Sequence, residues 1–472
     1  MIPWIFVHNP LEHWLGDYRR TFDAWEDGGV RGIVVGRLWF RQADGNGIPL
    51  WGEVLTPSFA ADPEVYASFG INPPPSTPRD REKEKQLHGL LDDAAARGWR
   101  IMIFDSRDGL RLLYQRGQNT VSGLNPEEDP HGAVEVVAGM QDILKAYPQA
   151  HGIILDQPGE QDYELAYHRG TQWLELDDYK KWKLAAAGVD VDRAARGMAH
   201  LSKRFHSLTP DLVRYHAPGG MLAAMSLFDV NEDVLYWLRA RRETALGFMA
   251  AVRGQMGRLD RPTELGGIPR TAAFSALTGH DFHEMASHFD YILPKHYFWH
   301  RGNDGMYGTV ARWVRQIAEW NPKLREADCF AVVKALMGLE LPNTNSLADM
   351  DLGFPAEFFS EVVHSETRRA LEAAGDDGKV IAWVSTGRNP HGGEPMTARE
   401  LQGILEASQA AGLQRFLFQP DPDLSASEWT VISGMCGNLW KQHPDGYWPS
   451  GSTAPEAFGR DADESTAEED RS

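Results

Sequence analysis

The chain has 472 residues, of which 42% are hydrophobic and 24% are charged, so its composition is that of a folded globular protein and excludes a wholly disordered one. Its 67 acidic residues outnumber the 47 basic residues and give a formal net charge of -20. Because binding to a phosphate backbone needs clustered lysine and arginine, this balance makes nucleic acid an unexpected partner.

Short apolar runs alternate with amphipathic helical patterns along most of the chain. The runs cover residues 4–7, 32–35, 101–104, 152–155, 271–276, 291–293, 330–333, 380–384 and 415–418. Near-continuous apolarity over so few residues is typical of strands that are buried on both faces. The helical patterns between them include residues 82–97, 134–147, 233–256, 310–320, 357–374 and 398–411. This alternation predicts an α/β fold with a parallel sheet.

A closed barrel and an open, doubly wound sheet both contain such repeated units. The first run is followed by HNPLEHWLGDY, which lacks the glycine-rich phosphate loop of dinucleotide-binding open sheets. We therefore predict a (β/α)8 TIM-type barrel over residues 1–448, with long inserts after strands 2 and 4 at residues 41–79 and 157–230. Nine candidate strands are one too many for this barrel, so we expect one of them to lie outside it. An acidic disordered tail is expected at residues 449–472.

The N-terminus has no positively charged segment followed by a long apolar one, so it does not resemble an export signal. No stretch approaches the ~18 apolar residues of a membrane span. We therefore expect a cytoplasmic protein with no membrane partner. No P-loop signature is present either, and no cofactor is expected.

Polar and aromatic side chains follow nearly every predicted strand. In a barrel of this kind the carboxyl ends of the strands surround the active site. Flat rings beside charged groups suit a sugar, which offers apolar faces and a rim of hydroxyls, and the arginines favour an anionic sugar. The expected substrate-binding residues are His8, Arg37, Trp39, Asp105, Arg107, Lys295, Tyr297, Trp299, Arg301, Lys334 and Arg388.

Three carboxylates are candidates for catalysis. Asp156 directly follows the buried run GIIL, Glu160 comes after a Pro-Gly pair, and Asp304 lies in the glycine-flanked segment RGNDG. Cleavage of a glycosidic bond usually needs two carboxyl groups that flank it. These three residues therefore predict a glycoside hydrolase.

The segments FVHNPLEHW, ILDQPGEQDYEL and LPKHYFWHRGNDGMYGT, taken in this order, resemble those of uncharacterised bacterial glycoside-hydrolase-like barrels. The resemblance covers most of residues 1–440 in the order of its elements. Some retaining glycosidases with this fold, such as the α-galactosidase and α-fucosidase barrels, carry an aspartate nucleophile after strand 4 and an acid after strand 6. By this similarity Asp156 would be the nucleophile and Asp304 the acid/base. The Asn-Glu pair that other barrel glycosidases carry after strand 4 does not follow the run GIIL, which is followed by Asp-Gln.

Three other functions stay open on the sequence alone. Lys295 or Lys334, desolvated in a barrel, could form a Schiff base with a carbonyl substrate, as in an aldolase or sugar-acid lyase. The carboxylates could instead only bind hydroxyls in a non-catalytic carbohydrate-binding barrel. A metal-dependent hydrolase is the third alternative, but the 17 histidines include no HExxH motif, and no metal is expected.

Overall fold

The computed structural model describes residues 1–8, 11–41, 55–75, 79–105, 129–165, 173–298, 305–386, 396–420 and 424–440. The tail expected at residues 449–472 lies outside these ranges. The strands in chain order are β1 Ile2–Val7, β2 Gly32–Val35, β3 Trp39–Arg41, β4 Leu55–Pro57, β5 Arg100–Asp105, β6 Gly152–Asp156, β7 Glu264–Ile268, β8 Tyr291–Ile292, β9 Ile381–Ser385 and β10 Arg415–Gln419.

Eight of these strands form one parallel sheet that closes on itself. Their order is β8-β7-β6-β5-β2-β1-β10-β9, while β3 and β4 pair antiparallel as a separate hairpin. The two edge strands meet through parallel bridges from Ile292 to Val380 and from Lys295 to Trp383. Because neighbours in the sheet are also successive barrel strands along the chain, the predicted (β/α)8 TIM-type barrel is confirmed.

Helices follow most of the barrel strands and surround the sheet. Their bounds are α1 Tyr18–Asp27, α2 Pro63–Ser68, α3 Arg81–Ala96, α4 Ala133–Ala146, α5 Asp178–Ala186, α6 Val191–Phe205, α7 Pro210–His216, α8 Gly220–Leu227, α9 Glu232–Gln255, α10 Ser275–Thr278, α11 Phe282–His288, α12 Met306–Trp320, α13 Glu326–Met337, α14 Leu347–Asp351, α15 His364–Ala374, α16 Ala398–Ala410 and α17 Ala426–Met435. No helix within the described ranges is both long and apolar enough to cross a bilayer.

Each barrel strand sends alternate side chains to opposite sides of the sheet. On β6, Ile153 and Leu155 pack in the layer between strands and helices, whereas Ile154 faces the barrel interior. The interior is filled by aromatic rings, with Trp383 in edge contact with Phe6 at 5.1 Å and with Phe104 at 5.7 Å between ring centroids. The barrel is therefore packed below its mouth, and only side chains beyond this layer can meet a ligand.

The fifth barrel strand is β7, and the prediction of a strand at residues 271–276 is wrong. Those residues form a 3-10 helix, Ala272–Phe274, and the start of α10. The true strand reads ELGGI, and its two glycines hide the apolar run. A Cβ on Gly266 would lie 2.9 Å from Ile154 Cγ1, and one on Gly267 would lie 2.9 Å from the Phe289 ring. Close packing on both faces thus explains the glycines that concealed this strand.

Residues 330–333 lie in helix α13, so their prediction as a barrel strand is also wrong. Cys329, Phe330, Val332 and Val333 are all buried in a second hydrophobic core, which covers more than one face of the helix. A short apolar run of this kind fits a buried helix as well as a strand, and periodicity alone does not separate them.

The long inserts expected after strands 2 and 4 are present. The β3–β4 hairpin and α2 follow β2, and helices α5 to α9 follow β6. A third insert, which the sequence did not predict, contains α12 to α14 after β8. Residues from the second and third inserts pack together around Trp173, Trp237 and Trp313, in a core separate from the barrel interior.

Helix α4 carries a buried carboxylate, Asp142, which is 2% exposed. Burial raises the pKa of Asp142 to about 6, although the Asp62 amide and the Tyr66 hydroxyl bond to it and lower it. The native protein therefore holds this proton more tightly than the unfolded chain does. The free energy of unfolding should fall as the pH rises from about 4 to about 6, and it should stay at the lower value above that range.

We expect Asp142→Asn to raise the free energy of unfolding by up to about 3 kcal/mol at neutral pH, because it removes a charge that burial disfavours. Near pH 4 the variant and the wild type should differ little. Urea unfolding at both pH values measures this difference. Glu135→Gln, on a half-buried residue of the same helix, is the charge-matched control. An equal effect of Asp142→Asn at both pH values would contradict the assignment.

Candidate functional site

The carboxyl ends of the barrel strands bring inward-facing polar residues to one mouth. The alternation that puts Ile154, Leu293 and Trp383 inside continues to the polar residues that follow them. These residues are His8 after β1, Asp156 at the end of β6, Lys295 and Tyr297 after β8, Ser385 at the end of β9 and Gln419 at the end of β10. The mouth is therefore lined by groups that differ chemically from the packed interior below it.

Asp156 and Lys295 meet across this mouth. Lys295 Nζ lies 3.5 Å from Asp156 Oδ1, and the two side chains are 6% and 15% exposed. Lys295 Nζ also lies 5.7 Å from the Tyr297 ring centroid and 5.6 Å from that of Trp383. The ammonium group is thus enclosed by aromatic faces below and a carboxylate at its side, where an electrostatic interaction is stronger than in water.

A tight turn carries the chain from Asp156 to Glu160. The Glu160 amide donates to the Gln157 carbonyl at 3.0 Å, and Gly159 has a φ of 71°. Proline followed by a glycine with positive φ is the signature of a type II turn. The turn packs closely on α9, because a Cβ on Gly159 would lie 3.0 Å from the Ala245 carbonyl oxygen. The Pro-Gly pair that the sequence singled out therefore fixes Glu160 near the mouth.

Glu160 is held by an arginine that the sequence analysis missed. Arg270 donates from Nε to Glu160 Oε2 at 2.9 Å and from Nη2 to Oε1 at 3.1 Å, and its side chain is 2% exposed. Such two-point pairing fixes both groups in one orientation. Arg270 lies two residues after Ile268, the last residue of β7. Because Ile268 faces the barrel interior, the alternation along the strand also directs Arg270 inward. With the strand placed at residues 271–276, no signal in the sequence marked Arg270 as a strand-end residue.

Gln157 connects the two ion pairs. With its carboxamide oriented so that the oxygen faces the cations, Gln157 Oε1 accepts from Lys295 Nζ at 2.8 Å and from Arg270 Nε at 3.3 Å. The result is a continuous chain of contacts, Asp156–Lys295–Gln157–Arg270–Glu160, which we call the mouth network. Its two cations are matched by two carboxylates.

Another part of the mouth is formed by the ends of β1 and β10. The Tyr297 hydroxyl donates to Gln419 Oε1, and the Tyr297 side chain is 2% exposed. His8 Nε2 donates to the Pro420 carbonyl at 2.9 Å, and its ring stacks on Phe6 at 4.6 Å between centroids. These contacts fix the Tyr297 and His8 rings, so this side of the mouth is ordered by its own hydrogen bonds.

Two histidines that follow barrel strands are buried, and one of them, His280, contacts the turn of residues 157–160. Burial lowers the pKa of His296 to about 4, and neither of its ring nitrogens has a hydrogen-bond partner among the described residues. His280 Nε2 donates to the Pro158 carbonyl at 3.1 Å. Burial lowers the pKa of His280, Glu160 raises it, and Arg270 and Lys295 lower it further. Both imidazoles are therefore neutral at physiological pH, and His280 supports the turn from behind.

Four predicted binding residues have surroundings other than those expected. Lys334 lies on α13 in the third insert, 32% exposed and paired with Glu340 at 3.2 Å, so its predicted place at a strand end is wrong. Trp39 is only 5% exposed, and the Arg37 guanidinium lies 5.3 Å from its ring centroid. Asp105 is 8% exposed and shares the parity of Ile103, on the helix side of β5, because Phe104 faces the interior.

Five of the predicted site residues fall in segments that the structure does not describe. Arg107, Trp299, Arg301, Asp304 and Arg388 lie outside the described residues. In the parts of the chain that are described, no group of three or more His, Cys, Asp or Glu side chains is gathered as metal ligands would be.

No protein-family model and no curated protein matches the chain. Among solved structures, the PgaB (BpsB) glycoside hydrolase domain from Bordetella bronchiseptica matches at 10% identity over 94% of this chain and 99% of that chain, with a TM-score of 0.42. A β-galactosidase from the psychrophilic Marinomonas ef1 matches at 12% identity over 93% of this chain and 59% of that chain, with a TM-score of 0.45. A GH5 xyloglucan-specific β-1,4-glucanase from a ruminal metagenomic library matches at 11% identity, over 84% and 88% of the two chains, with a TM-score of 0.31. These three structures are glycoside hydrolases.

The Arg270–Glu160 pair yields a test of the site's construction. We expect Arg270→Met to lower the free energy of unfolding by about 3 kcal/mol, because it leaves a partly buried carboxylate without its partner. Adding Glu160→Gln to that variant should restore part of the loss. Urea unfolding of the two single variants and the double variant measures the coupling. Losses that simply add in the double variant would show that the pair is not coupled.

Proposed function

We propose that this protein is a glycoside hydrolase and that Asp156 is the carboxylate that reacts with the sugar. The proposal rests on one observation, the position of Asp156 at the carboxyl end of a buried barrel strand, facing the mouth and 3.5 Å from the Lys295 ammonium. Residues at this end of barrel strands carry out the chemistry in characterised enzymes with this architecture. The resemblance of the ILDQPGEQDYEL segment to glycoside-hydrolase-like barrels supports the same role.

The charges around Asp156 suit a nucleophile or a base. A carboxylate attacks an anomeric carbon or activates a water, and the Lys295 ammonium lies 3.5 Å from Asp156 Oδ1. The rigid strand behind Asp156 limits its movement, as positioning of a reacting group requires. In this proposal the second reacting carboxyl group is Asp304, which would protonate the leaving oxygen.

Glu160 takes a different part in this proposal from the one that the sequence suggested. Both of its oxygens accept from the Arg270 fork, so its strongest acceptor positions are already used. A carboxylate bound in this way is suited to holding its neighbours in place. We therefore assign Glu160 to positioning through Arg270, and not to the reaction itself.

A Schiff-base lyase is the second candidate, because Lys295 is a buried amine at the barrel mouth. A lysine nucleophile must be neutral when it attacks a carbonyl carbon. The carboxylate of Asp156 and the carboxamide oxygen of Gln157 both stabilise its ammonium form, which favours the hydrolase over the lyase. Treatment with borohydride and a sugar-acid or keto-sugar panel separates the two, since only the lyase gives a stable adduct on Lys295.

The proposal is tested with a panel of aryl glycosides of neutral sugars and of uronates. We expect the wild type to release the aryl group from at least one of them. On that substrate Asp156→Asn should lower kcat by about 10²–10⁴-fold, the usual contribution of a positioned acid or base. The amide has nearly the same shape, so circular dichroism and the unfolding midpoint should show an intact fold.

Asp178→Asn is the matched control, because Asp178 is an exposed carboxylate at the start of α5 that pairs with Lys181 at 3.4 Å. Its turnover should equal that of the wild type. Full activity of Asp156→Asn would remove Asp156 from the mechanism. A panel that includes both sugar classes and gives no turnover with the wild type would count against the hydrolase.

A further inference from the structure

Gln157 has an unusual backbone conformation for its residue type. Its φ is 46°, which lies in the left-handed region that residues other than glycine, asparagine and aspartate seldom adopt. Its amide donates to the Ile268 carbonyl at 3.1 Å, which ties this conformation to the end of β7. Conformations of this kind carry a free-energy cost and persist where the surrounding structure requires them.

The type II turn alone does not require a glutamine at this position. The turn uses the Gln157 carbonyl and the positive φ of Gly159, and neither involves the Gln157 side chain. The side chain instead extends to the mouth network, where its oxygen accepts from Lys295 and Arg270 together. A glycine would form the backbone with less strain but would lose this oxygen.

The distances indicate what the oxygen does for Lys295. A lysine ammonium ends a flexible four-carbon stem, so its position depends on the acceptors around it. The contact from Lys295 Nζ to the Gln157 oxygen is 2.8 Å, while that to Asp156 Oδ1 is 3.5 Å. The glutamine oxygen is therefore the closer of these two acceptors, and Arg270, itself fixed by Glu160, holds that oxygen from the other side.

We propose that Gln157 is a positioning residue, which holds the Lys295 ammonium beside Asp156 and transmits the rigidity of the Arg270–Glu160 pair to the reacting carboxylate. The effect of Gln157 on catalysis depends on the proposed function. Its effect on the Asp156–Lys295 contact is independent of any substrate.

The test measures the coupling free energy between Asp156 and Lys295 with a double-mutant cycle of Asp156→Asn and Lys295→Met, by urea unfolding. The cycle is made in the wild type and again in the Gln157→Met background. Methionine has a similar length and the same backbone requirement but no oxygen to accept from a cation. We expect the coupling in the methionine background to fall to less than half of its wild-type value.

Two further backgrounds separate positioning from general damage to the turn. Gln157→Glu keeps an acceptor oxygen, so it should retain more of the coupling than Gln157→Met. Gln161→Met replaces a nearby glutamine whose amide donates to the Gly159 carbonyl at 2.9 Å, and should leave the coupling unchanged. If Gln157→Met also leaves it unchanged, the proposal is overturned. The same conclusion follows if Gln161→Met lowers it as much.

The kinetic arm uses the glycoside that the wild type turns over. Gln157→Met should lower kcat by about 10- to 100-fold with little change in KM, because a displaced cation affects the reacting geometry more than substrate binding. Gln157→Glu should recover part of kcat. Equal losses in both variants, or a change confined to KM, would contradict positioning. If coupling falls as expected but no glycoside is cleaved by the wild type, the hydrolase assignment fails while the role of Gln157 in placing Lys295 stands.

Discussion

The site depends on the compensation of two buried cations at the mouth of a closed barrel. The Arg270 and Lys295 side chains are 2% and 6% exposed, and a buried charge is tolerated only with a partner. Glu160 and Asp156 supply the partners. Asp156 is the last residue of β6, and the turn of residues 157–160 places Glu160 close to it. The positions of four strand ends are thereby linked, because the network contains groups from the ends of β6, β7 and β8 and rests on the ring of Trp383 from β9.

The closed barrel determines which residues can join this network. Parallel strands alternate their side chains, so only every second residue faces the interior. Asp156, Arg270 and Lys295 stand at positions whose side chains face the barrel interior. Asp105 also stands at a strand end, but the alternation along β5 turns its side chain toward the helices. Position at the end of a strand therefore does not by itself make a site residue. The aromatic layer around Trp383 then sets how deep a ligand can reach.

Much of the fold could be predicted because its strands are buried on both faces. The runs that became β1, β2, β5, β6, β9 and β10 are continuous apolar stretches, and Asp156 could be found because it ends one of them. The ELGGI strand could not be found in this way, since close packing at Gly266 and Gly267 requires residues without side chains. With that strand unrecognised, Arg270 had no place in the predicted site. The prediction of a strand at residues 330–333 was wrong for the opposite reason, because a helix that is packed on several sides is apolar on several faces.

The charge of the mouth network bears on the kind of sugar that the proposed hydrolase would accept. Arg270 and Lys295, the two cations of the network, already have carboxylate partners, so a uronate would bring a negative charge that the network does not compensate. The arginines that suggested an anionic sugar are Arg37, Arg107, Arg301 and Arg388. Of these, Arg37 lies against the ring of Trp39, and the other three lie outside the described residues. A neutral sugar makes no such demand, because its hydroxyls can accept from Lys295 and donate to Asp156 without adding charge. The network by itself therefore favours a neutral substrate, and a preference for uronates would have to come from Arg107, Arg301 or Arg388.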